Sequence, residues 1–76
     1  MMKEYLYQLI YSEDGGGWYA EIWEGRSGVQ AHTTDVVDLS HRTPALAAAR
    51  LATDWIEDKG GVAREISTDQ GRTAAT

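Results

Sequence analysis

The chain has no cysteine, which removes disulfides and thiolate metal sites from consideration. It has no phenylalanine and a single proline. No apolar run approaches the roughly 18 residues of a membrane-spanning helix. The opening "MMKEYLYQLI" carries one lysine followed directly by an acid and lacks a long apolar core, so it is not the pattern of a secretory leader. These absences read as a soluble, cytosolic chain with no membrane partner. Basic residues are also scarce, 7 against 12 acidic ones, for a net charge of −5. Lys3, Arg26, Arg42, Arg50, Lys59, Arg64 and Arg72 are scattered along the chain. Nucleic acid repels a surface of that kind unless its few bases cluster. Direct nucleic-acid binding is therefore not expected, and a basic protein partner is the better electrostatic match.

With 76 residues, one small domain is the natural expectation. A domain of this size buries only about 60–65% of the surface its unfolded chain exposes. Its core is thin, and a partner or a second copy adds useful burial. Three tryptophans and four tyrosines supply the large side chains. Each buries about 150–250 Å² and keeps a polar handle suited to half-buried positions.

Residues 4–11, "EYLYQLIY", have strand composition with no helix breaker or cap. Residues 18–24, "WYAEIWE", read as a second strand, and "SEDGGG" between them as a hairpin loop of about six residues. "GRSG" at 25–28 is the next turn, and the β-branched stretch 29–37, "VQAHTTDVV", reads as a third strand. "DLSHR" at 38–42 is less regular. Thr43 then suits a helix N-cap, with Pro44 at the first helical position, where its missing N–H is harmless. "ALAAARLATDWIEDK" follows with high helix propensity.

At about 100° per residue, Ala48, Leu51, Ala52, Trp55 and Ile56 share one face of that helix. Arg50, Thr53, Asp54, Glu57 and Asp58 share the other. Lys59 complements the negative helix end, and Gly60 suits its termination. "VAREI" at 62–66 reads as a short fourth strand. Residues 67–76 have little apolar content and read as a flexible tail. The expectation is one α+β domain over residues 1–66 in the order β-β-β-α-β. A mainly antiparallel sheet of three to four strands carries one helix on one face.

In the second strand, Trp18, Ala20 and Ile22 alternate with Tyr19, Glu21 and Trp23. The first set has no charge and is the better inner face. In the first strand, Tyr5, Tyr7 and Leu9 oppose Leu6, Gln8 and Ile10, and the pattern does not choose between them. A sheet with one free face should alternate more cleanly than this. The outer face is thus the expected contact surface, with Tyr19, Glu21, Trp23, Leu6 and Ile10 as its protein-binding residues.

With the strands placed, the chain resembles the HicB-type antitoxin domain over roughly residues 3–66. The resemblance is carried by the tyrosine-rich first strand, "EDGGG", then "WYAEI", then the Thr-led helix "TPALAAARLATDWIED". It implies a partial RNase H-like or double-stranded-RNA-binding-domain-like sheet. Such a sheet lacks a nuclease's carboxylate cluster and sequesters a small basic toxin. There are departures. "WEGRSG" stands where the family has an acidic, proline-bearing turn and a Gly-Cys pair, and "DVVDLSHR" lengthens the approach to the helix. Family members also continue into a DNA-binding segment, which these 76 residues do not contain.

No pattern supports catalysis, a cofactor or a metal. His32, Asp35, Asp38 and His41 recur at intervals of three, and all four are metal-ligand types. On a strand a step of three switches faces, so only a turn around "DLSH" could bring Asp38 and His41 together. Glu21 and Glu24 likewise point to opposite faces, and Asp54 and Asp58 lie on a solvated one. "GRSG" is not a nucleophile elbow. "SEDGGGWYAEIW" opens into a strand rather than a helix, has no lysine, and carries Glu13 and Asp14, so it is no phosphate cradle. Its glycines are expected to supply positive φ angles.

The leading expectation is a small acidic, non-enzymatic, antitoxin-like module. The alternatives are a phage- or plasmid-encoded inhibitor of a nucleic-acid-processing machine, in the manner of an anti-CRISPR protein, and a self-associating homodimer.

Overall fold

The computed structural model describes residues 2–66; the tail expected over 67–76 lies outside the described residues. The architecture is α+β, a mixed open sheet with one helix on one face. Its elements are β1 (Glu4–Ser12), β2 (Gly17–Glu24), β3 (Gln30–Thr33), β4 (Val37–Asp38), α1 (Pro44–Asp58) and β5 (Val62–Glu65). The sheet order is β3-β2-β1-β5, with β4 also beside β2. β1, β2 and β3 pair antiparallel in succession, while β5 returns through the helix to lie parallel to β1. No helix among the described residues is long and apolar enough to cross a membrane.

The hairpin is tighter than a six-residue loop, because β1 runs on to Ser12 and β2 starts at Gly17. Ser12 closes it, accepting the Gly16 N–H at its carbonyl (2.9 Å) and the Gly15 N–H at its hydroxyl (2.8 Å). Of the three glycines only Gly16 has a positive φ, 69°. Gly17 answers a different need: a Cβ there would run into the Val37 carbonyl of β4.

The expected third strand is two strands. Both lie along β2, β3 beside Glu21–Trp23 and β4 beside Gly17 and Trp18. Thr34 interrupts them. Its N–H donates to the Ala20 carbonyl and its hydroxyl accepts the Ala20 N–H, both at 2.9 Å. A buried side-chain oxygen thus stands in for a backbone carbonyl, and the ladder breaks without orphaning Ala20.

Pro44 opens the helix, and Thr43 takes the N-cap position without a side-chain cap hydrogen bond. Ala48, Ala52 and Ile56 are fully buried. Ala52 and Ile56 pack the helix onto Tyr5, Tyr7, Ala20 and Ile22, flanked by Leu9, Ala49, Trp55 and Ala63. This decides the face of β1: Tyr5, Tyr7 and Leu9 point inward. Burial raises the Tyr7 pKa, with the nearby Glu65 carboxylate adding to it. Leu51, expected on the buried face, is 41% exposed at the margin of the helix–sheet contact.

The helix ends in a Schellman arrangement. Gly61 N–H donates to the Ile56 carbonyl (3.0 Å) and Gly60 N–H to that of Glu57 (2.9 Å), with Gly60 at φ 74°. The Lys59 ammonium lies 5.1 Å from the Trp55 ring centroid.

Candidate interaction face of the sheet

Alternation along β1 and β2 sends Leu6, Gln8 and Ile10, and Tyr19, Glu21 and Trp23, to the face opposite the helix. The register aligns them as three cross-strand pairs: Leu6 opposite Trp23, Gln8 opposite Glu21, Ile10 opposite Tyr19. Each end of the patch is therefore one aliphatic and one aromatic side chain, and its middle is polar. All six residues are half-buried, with no helix over them among the described residues. The five residues expected from the sequence to bind protein fall together on this one surface. Gln8 completes it, and the same alternation identifies it.

Polar groups flank the patch on both sides. Toward β3, the Gln30 side-chain amide donates to the Thr33 hydroxyl at 2.8 Å. Toward β5, Arg64 is in register with Leu6 and lies 3.4 Å from the Glu4 carboxylate. The part played by Arg64 is not legible in the sequence, because it depends on β5 pairing in parallel with β1. Glu21 has no ion-pair partner among the described residues.

Concave regions also lie elsewhere among the described residues. At one end of the hairpin, Met2, Lys3, Glu4, Gly25 and Arg26 line a cavity of about 370 Å³. There Glu24 accepts from Ser27 (2.9 Å) and pairs with Lys3 (3.2 Å), and these bonds hold its carboxyl below its ordinary pKa. The second, of about 260 Å³, lies between β3 and the helix and is lined by His32, Thr33, Thr34, Asp35, Leu51 and Trp55. His32 stacks flat on Trp55, centroids 4.9 Å apart and planes within 5°, while Tyr5 meets the same indole edge-on at 5.7 Å.

The histidines and aspartates spaced by three do not converge. His32 is committed to the Trp55 stack. Asp38 accepts the Ser40 N–H through its carboxylate, and His41 accepts the Thr43 N–H at Nδ1. Among the described residues no group of three or more metal-ligand types could hold an ion.

Neither family models, nor curated proteins, nor solved structures yield a match to this chain.

Proposed function

We propose that the chain is a small, acidic, non-enzymatic protein-binding module that sequesters a basic partner through the outer face of its sheet. The observation that carries this reading is a patch that no other described element covers: two aliphatic–aromatic pairs bracketing a carboxylate, on a sheet whose other face is already filled. Large aromatic anchors with a polar rim are the residues that dominate protein–protein affinity. A net charge of −5 speeds encounter with a positively charged protein.

The likeness to the HicB-type domain gives this reading its most specific form, an antitoxin-like domain covering a small basic toxin. The same face and charge would also serve an inhibitor docked on a basic nucleic-acid-processing machine.

The test is a double variant. Tyr19→Ala with Trp23→Ala should abolish capture of the partner while leaving the circular dichroism spectrum unchanged. The first partner to try is any small basic protein from the adjacent reading frame. Capture retained by the double variant would overturn the assignment of this face.

A further inference from the structure

We propose that Glu21 is the charge anchor of this face, and that the partner sets an arginine or lysine head group over it from within an otherwise apolar surface. This rests on the protein-binding reading and names the chemistry that the face selects.

Glu21 sits two residues from Tyr19 and two from Trp23 on the same side of β2, with Gln8 across from it and Leu6 and Ile10 beyond. Any partner that covers the aromatic pair must also cover this carboxylate. Among the described residues no ion pair supplies Glu21 with a counter-charge. Arg64 is two strands away and paired with Glu4 at 3.4 Å, and Lys3 is paired with Glu24 at 3.2 Å. A carboxylate stripped of water with no cation opposite is strongly disfavoured. A cation brought by the partner answers that need.

A second copy of the chain is a poor source of it. Face-to-face copies would enclose two Glu21 carboxylates and bring together two chains of net charge −5. The same residue that selects a cationic partner thus discourages self-association through an apolar sheet face. Arginine fits best, since its guanidinium is weakly hydrated and can grip a carboxylate with two parallel hydrogen bonds.

The test uses the full chain, isotopically labelled, and a short synthetic peptide of alternating threonine and leucine with one central arginine. A twin peptide carries glutamate at the centre. The arginine peptide should shift the amide resonances of Leu6, Ile10, Tyr19, Glu21 and Trp23, and the twin should not. Glu21→Gln should weaken the arginine peptide about 30-fold, the scale of losing one partner of a desolvated charge pair. Glu21→Lys should reverse the preference toward the twin.

Equal shifts from both peptides, shifts from neither at millimolar concentration, or unchanged affinity in Glu21→Gln would each overturn the proposal. A partner that escapes Tyr19→Ala with Trp23→Ala but still binds Glu21→Gln removes the anchor and leaves the protein-binding reading standing.

Discussion

Two sets of residues drawn from the same two strands meet different fates. Tyr5, Tyr7, Ala20 and Ile22 are buried beneath the helix, whereas Leu6, Ile10, Tyr19 and Trp23 are only half-buried, with no element over them among the described residues. Apolar content does not separate the two sets, and the outer one holds the larger side chains in β2. What separates them is the small surface of the helix. Ala52 packs against the sheet, and Ala20 lies in the same buried cluster. The charge agrees, since Glu21 stands amid the outer set while the inner set of β2 has none.

The contrast breaks most visibly in the core. Ile22→Ala or Ile56→Ala should each cost about 2–5 kcal/mol, because both side chains are fully buried and leave a cavity. A chain of this size has only about 4–11 kcal/mol in total, at roughly 0.05–0.15 kcal/mol per residue. Urea denaturation should show the midpoint collapse. Thr34→Val tests the broken edge of the sheet. It strands the buried Ala20 N–H and should cost about 1–3 kcal/mol. Hydrogen exchange at Ala20 should accelerate, and Thr34→Ser should restore protection.

On the outer face the same substitutions should barely register in stability. Tyr19→Ala or Trp23→Ala removes one cross-strand pair and should cost about 0.2–1 kcal/mol in the free chain. A loss as large as that of Ile22→Ala would mean that the outer face belongs to the core after all.

Titration should separate the faces by the smallest margin. Tyr7, buried on the inner face, has its pKa raised above 10.0. Its contribution is fully present below pH 10.0 and is lost as the pH rises through the folded-state value. Glu24, exposed at the hairpin end, is held below 4.5. Its contribution is present above that value and fades as the pH falls through the folded-state pKa. A pH series of melting temperatures should show the alkaline decline, and Tyr7→Phe should flatten it. Lys3→Ala and Ser27→Ala should reduce the acid-side slope.

Much of the fold is legible in the residue pattern. The hairpin, the proline-led helix and the returning strand all fall within a residue or two of their expected bounds. The rest depends on contacts that no local pattern encodes. The β-branched run "VQAHTTDVV" looks continuous, yet Thr34 uses its hydroxyl as a ladder acceptor and splits it. Thr43 has the right side chain for a cap and makes no cap bond.

Three adjacent glycines suggest three left-handed residues. One is left-handed, and another exists because the Val37 carbonyl passes too close for a Cβ. In β1 the face could not be chosen, because tyrosines on one side and aliphatics on the other are equally suited to burial. Only the placement of the helix breaks that tie. In β2 a glutamate marks the outer side; Leu6 and Ile10 are named with it from the sequence, and the pairing register sets them opposite Trp23 and Tyr19.

The most direct test of the central claim is to map a captured partner onto the labelled chain by amide chemical-shift perturbation. The account predicts shifts concentrated at Leu6, Gln8, Ile10, Tyr19, Glu21 and Trp23, with the solvent side of the helix silent. Shifts centred instead on the exposed helix residues Leu46, Arg50, Leu51 and Asp54, with the outer face of the sheet unmoved, would contradict it.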